Sequence, residues 1–228
     1  MVFDPIYMLI TFAAMGASMF VGSMLKKRFA EYTNVPIAMS GKEVAEKMLR
    51  DNGIHDVQVI SVGGQLTDHY NPGNKTVNLS EVVYNQRNVA AAAVAAHECG
   101  HAIQHATSYA WLNLRSQMVP IVNISANWMQ WVLMGGIFLM SMGQSWLLLV
   151  GIIMFAATTL FSIVTLPVEF DASNRALVWL NSANITTGMQ HEKAKDALFW
   201  AAMTYFVAAV ASLAQLLYFV MMFLNSRD

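Results

Sequence analysis

Charge is what this 228-residue chain lacks over long stretches. Between Ser116 and Val168 there is no Asp, Glu, Lys or Arg in 53 residues. Pro5 to Leu25 is uncharged over 21 residues, and Ala197 to Ser226 over 30. A helix needs about 20 apolar residues to cross the hydrocarbon core of a bilayer. With 56% hydrophobic residues and 17 Met, these gaps exclude an ordinary soluble domain. The long middle run holds two spans, turning at Ser141-Met142-Gly143-Gln144-Ser145. Four transmembrane helices are expected, near 6–25, 118–140, 146–166 and 199–223.

Other absences narrow the class further. The start, Met1-Val2-Phe3-Asp4, has no basic n-region, so the first span is expected to be retained and not cleaved as a leader. Its basic cluster, Lys26-Lys27-Arg28, follows the span and should stay in the cytoplasm, which puts the N-terminus outside. Alternation then puts 26–117 and 167–198 inside, and the C-terminus outside. Twelve of the thirteen Lys and Arg fall on that inner side, Arg227 being the exception. One cysteine, Cys99, excludes a disulfide within the chain. A net charge of −1 argues against nucleic acid as a partner. No internal repeat or low-complexity tract is present.

What is present is His97-Glu98-Cys99-Gly100-His101, within the alanine-rich stretch Ala90–Ala96 that should be helical. Histidines four apart share one helix face, so both imidazoles can grip one zinc ion (Zn2+), and Glu98 can reach a water on that metal. Chance supplies roughly 0.005 matches to this pattern in such a composition. The helix should start near Asn88 and last into 105–110. Ahead of it, Ser40-Gly41-Lys42-Glu43 has capping-box spacing and opens a short amphipathic helix to about Asp51, stopped by Asn52-Gly53. Val57–Val62 and Thr76–Ser80 alternate like strands around turn chemistry at Tyr70–Lys75, which gives one small sheet or hairpin. The strand at 76–80 offers an edge to which a peptide can add.

Catalytic zinc needs a third protein ligand. A third histidine six residues past His101 is missing, since Thr107 stands there and Gln104 replaces the glycine of that turn. His105 lies about 12 Å along a helix from His97, too far to share a metal with it; a His101/His105 pair would leave Ala102 in the general-base position. The only acids between Glu98 and Glu192 are Glu169 and Asp171. Glu169 sits at the inner end of the third span, where an ionisable side chain is a functional candidate by default. Asp171 would face away on a helix, where it caps a helix or meets solvent or Arg175. Cys99 points off the histidine face and reads as a small buried side chain, and Gly100 as a point of close packing. Asn123, Asn127 and Gln130, and likewise Thr204, Ser212 and Gln215, form polar stripes read as contacts between helices, with a wet cavity leading to the site as the alternative.

The motif Val94–Gln104, with Asp68-His69-Tyr70-Asn71-Pro72, Leu166–Ser173 and Ala201–Tyr205, resembles the bacterial membrane zinc metallopeptidases of the YugP type. That family is distantly similar to the HtpX and CAAX-prenyl proteases, which are gluzincins. There a Glu-x-x-Ala-Asp pattern supplies the third ligand and an acid that orients a ligand histidine. Glu169 and Ala172 match it; Ser173 stands where the acid would be, and Ser173, Asn174 or Asp171 is expected to share that work.

The resemblance therefore implies a mainly α integral membrane protein, 1–228 as one composite domain, with a small α+β cytoplasmic zincin-like portion. Its metal ligands would be His97, His101 and Glu169, and its catalytic base Glu98. The implied activity is peptide-bond hydrolysis at the cytoplasmic membrane face, by Glu-assisted attack of zinc-bound water. His69, Tyr70, His191 and Arg175 are the candidates for steadying the oxyanion. Two alternatives stand beside it. One is an intramembrane, site-2-like protease, against which the metal helix is rich in Ala, Asn, Gln and Ser, with no Asp-Gly motif of that kind. The other is a catalytically silent zinc-binding scaffold, which would have no need of Glu98.

Overall fold

A computed structural model describes residues 4–225; Arg227, the one basic residue expected outside, lies beyond them. Four long helices account for most of the chain: α1 (Pro5–Tyr32), α5 (Ala110–Met140), α6 (Trp146–Ser182) and α7 (Met189–Asn225). Between α1 and α5 lie α2 (Gly41–Asp51), β1 (Gln58–Val62), β2 (His69–Asn71), β3 (Thr76–Ser80), α3 (Glu81–Asn85) and α4 (Val89–Ala106). The chain forms two compact units: one from 4–20, 114–166 and 205–225, the other from 21–113 and 167–204.

Among the described residues, three helices are long and apolar enough to cross a membrane: α1, α6 and α7. The fourth expected span, 118–140, is helical within α5 but does not reach that standard. Asn123, Asn127 and Gln130 dilute its apolar residues. Among the described residues, no hydrogen bond between helices is found for the residues of the two polar stripes. Asn123 and Asn127 are exposed, and the Thr204 and Ser212 hydroxyls donate back to their own helix, to the carbonyls of Ala201 and Ala209 at 2.6 and 2.9 Å. Gln130 and Gln215 both line an apolar cavity of about 370 Å³ with Leu133, Phe155 and Phe219.

The second unit is built around α4. Asn88 caps it, accepting from the Ala91 N–H at 2.8 Å. Ala92, Ala93, Ala95 and Ala96 are all fully buried. A helix enclosed on every side needs short side chains, because neighbouring backbones must come close around it. Val44, Met48 and Leu49 of α2, Val77 and Leu79 of β3, and Leu180 of α6 complete this core. α2 starts at the expected capping box: the Ser40 N–H donates to Glu43 at 2.8 Å, and the Glu43 N–H to Ser40 Oγ at 3.3 Å. It ends at Gly53, whose φ of +71° suits glycine.

The sheet has the order β1-β3-β2. The two expected strands do pair, but β1 runs parallel to β3, so they make no hairpin with each other; the hairpin is formed by β2, a strand not expected, and β3, with Tyr70 opposite Val77. The tight turn is shorter than the 70–75 expected, since Tyr70 and Asn71 already belong to β2. β3 is the central strand and is buried along its whole length. It therefore has no free edge, and the expectation that a peptide adds to Thr76–Ser80 is corrected: both of its edges are already paired.

One contact sets how closely α4 and α6 approach. Gly100 lies against the backbone of Ala172, so tightly that a Cβ at position 100 would meet the Ala172 carbonyl oxygen at 2.5 Å. Backbone cannot yield there as a flexible side chain could. Gly100→Ala is expected to destabilise the protein by about 1–3 kcal/mol and to weaken zinc binding, read by thermal unfolding and metal analysis. A variant with parent stability and full zinc would show that the helices have slack at this point.

Candidate metal centre

The close approach at Gly100 brings the histidine face of α4 onto the acid of α6. Glu169 Oε2 lies 3.3 Å from His97 Nε2 and 3.7 Å from His101 Nε2. One donor atom from each of the three residues falls within 4.8 Å of the others, a group able to hold a metal ion. A tetrahedral zinc ion with ligands about 2.1 Å away spaces its donors roughly 3.4 Å apart. The observed spacings and the donor set of two imidazoles and one carboxylate fit that ion. Glu169 is 2% exposed and His101 9%, so the charge sits out of bulk water.

Burial opposes charge on both His101 and Glu169, yet each shifts towards its charged form. Burial alone would raise the Glu169 carboxyl; the imidazoles of His101 and His97, 3.7 and 3.3 Å away, overrule it and hold it well below the usual carboxylate range. Burial likewise pushes His101 down, and the nearby carboxylates of Glu169 and Glu98 raise it on balance. This mutual demand for opposite charge is what a cation would take over.

The other ring nitrogens face second partners. His97 Nδ1 is 3.1 Å from Ser173 Oγ, at the position where a family acid was looked for. His101 Nδ1 is 3.0 Å from Gln104 Oε1. Gln104 in turn donates to the Val168 carbonyl and to Asp171 Oδ2, both at 2.8 Å. Asp171 accepts from Arg175 Nε at 2.6 Å, the pairing expected from their spacing. Ser173 and Asp171 are thus both drawn in, the latter through Gln104. Asn174 instead lines a neighbouring cavity with Phe170 and Phe199. Gln104 is what the sequence analysis missed, having been weighed only as a replaced glycine. Its signal was position: three residues past His101, it shares that residue's helix face.

Glu98 is buried beside the cluster, and its Oε2 accepts from the Tyr70 backbone N–H at 2.9 Å. Tyr70 is the only one of the four oxyanion candidates with such a bond to the motif among the described residues. Its hydroxyl pairs with His105 Nδ1 at 2.7 Å, which gives His105 a partner away from the metal group. Arg175 is tied to Asp171, His191 Nδ1 is 3.2 Å from Thr186 Oγ1, and His69 Nδ1 is 2.7 Å from the Thr67 carbonyl. Cys99 is fully buried against the Ala45 carbonyl at 3.6 Å, and burial pushes its thiol up. It is a packing residue, as expected.

Comparison with known proteins agrees with this geometry. Residues 7–224 match the family described as "Putative neutral zinc metallopeptidase". The chain is 41% identical over 225 residues to the "Putative membrane protease YugP" of Bacillus subtilis (strain 168), covering 98% of this chain and 99% of that protein. No solved structure matches the chain. A match that takes in both helices of the metal group and nearly everything between the termini leaves one placement: the chain belongs to this zinc metallopeptidase family.

Proposed function

We propose that this protein is a membrane-embedded zinc metallopeptidase that hydrolyses peptide bonds of protein or peptide substrates at the cytoplasmic membrane face. The observation that carries it is the convergence of His97, His101 and Glu169 beside a buried, oriented Glu98. His97 and His101 would hold the metal through Nε2, and Glu169 through a carboxylate oxygen. Bound zinc supplies Lewis acidity, lowering the pKa of water towards about 7 and polarising a carbonyl. Glu98 takes the proton of the attacking water and later delivers it to the leaving amine. The Tyr70 N–H keeps its carboxylate aimed while doing so. β2, which carries Tyr70, is an edge strand, and a substrate backbone can lie along it in place of the closed edge of β3.

α6 and α7, at 37 residues each, are about 55 Å long, nearly twice the roughly 30 Å of a bilayer core. Their apolar stretches, 146–166 and 199–223, fill the lipid, and the remainder extends beyond it carrying Glu169. α5 completes a set of four spans. Its Ile121, Ile124, Trp128, Trp131 and Phe138 are exposed on the protein surface and would meet lipid. The placement of twelve of thirteen basic residues in 26–117 and 167–198 supports a cytoplasmic site, with both termini outside.

Glu98→Gln should keep one zinc per chain and lose peptide hydrolysis by at least about 100-fold. Hydrolysis at the parent rate would remove Glu98 from its role, and a parent that binds zinc without cleaving any protein would favour the scaffold reading. His97→Ala and Glu169→Ala should each lose metal on dialysis against a weak chelator; full zinc in Glu169→Ala would place the third ligand elsewhere. For orientation, a cysteine at exposed Asn74 should resist a membrane-impermeant thiol reagent in intact cells and react after lysis. The buried Cys99 gives no background. Labelling in intact cells would invert the topology.

A further inference from the structure

The two ligand histidines are held in different ways. Ser173 Oγ, the partner of His97 Nδ1, is a hydroxyl that can donate or accept, so it leaves the tautomer of that ring open. The partner of His101 Nδ1 is an amide whose orientation is forced. Gln104 is fully buried, and one end of its amide faces two oxygens at 2.8 Å, the Val168 carbonyl and the Asp171 carboxylate. The carbonyl can only accept, and the carboxylate is paired with the Arg175 guanidinium at 2.6 Å and also accepts. An amide turned the other way would set three oxygens against one another. The nitrogen of Gln104 must therefore point at them, and its oxygen at His101 Nδ1, 3.0 Å away. An accepting oxygen there requires the proton on Nδ1. In the neutral ring that binds a metal, this leaves the lone pair on Nε2, facing the metal position.

We infer that Gln104 is a positioning residue: held by Asp171, Arg175 and the Val168 carbonyl, it locks the ring orientation and tautomer of His101 so that Nε2 is presented to zinc. The inference rests on the metallopeptidase reading, in that His101 must be a ligand. The lock also runs between helices, since Gln104 stands on α4 and its two acceptors on α6. Arg175 is itself steadied over the Tyr109 ring, 5.7 Å from its centroid. The lock joins the two elements that the metal must join.

The test is zinc affinity of the full-length protein in detergent, stripped of metal and titrated against a competing chelator. Gln104→Met keeps the length and removes both polar ends. It should raise the zinc Kd about 10–100-fold, and more than Ser173→Ala does. Asp171→Ala touches no ligand yet should also raise the Kd. The double variant should lose little beyond Gln104→Met alone, because both act through one path. Gln104→Glu should not rescue, since it sets a carboxylate against Asp171. Parent-like Kd values in Gln104→Met and Asp171→Ala would overturn the lock, as would losses that multiply in the double variant. If Gln104→Met does not fold, Asp171→Ala decides alone, on the same criterion. A parent protein that binds no zinc at all would instead sink the metallopeptidase reading, and this inference with it.

Discussion

The molecule depends on how near one helix backbone can come to another. α4 carries two histidines and α6 carries one glutamate, and a metal of this kind tolerates donor spacings of only about 3.4 Å. Side chains alone do not set that distance; the backbones do. Gly100 against Ala172 sets it, with no room for even a methyl group between them. The alanines flanking the motif serve the same end, letting α2, β3 and α6 close around a helix that has no exposed face in its central turns.

Around that contact, polar groups are satisfied in a fixed order. Glu169 meets both histidines through one oxygen. The outer nitrogens of the rings meet Ser173 and Gln104. Glu98 is met from the sheet, by a backbone N–H of an edge strand. Each bond is made in a place from which water is largely shut out, so each is expensive to leave unmade. Together they fix the placement of three donor atoms and one base.

Much of this was legible in the sequence because it is written in local spacing. Ser40 and Glu43, Asn88, and the four-residue interval between His97 and His101 each encode a helical feature within one turn. Glu169 stood out because it ends 53 uncharged residues. What was not legible depends on pairing between distant segments. The parallel match of β1 to β3, which closes the edge of β3, leaves no trace in the alternation of either strand. Gln104 gave only its helix face; its acceptors lie more than sixty residues away. The polar stripes were the harder part, because a periodicity shows that residues share a face, not what that face meets, and in α5 that face is exposed at Asn123 and Asn127.

The central claim is that two imidazoles and one carboxylate from these helices bind a single zinc ion. X-ray absorption at the zinc edge of the purified Glu98→Gln protein tests it most directly. The account predicts one zinc per chain, two imidazole nitrogens at about 2.0–2.1 Å, and oxygen donors completing a four-coordinate shell. A sulfur at about 2.3 Å, or a single imidazole, would contradict it.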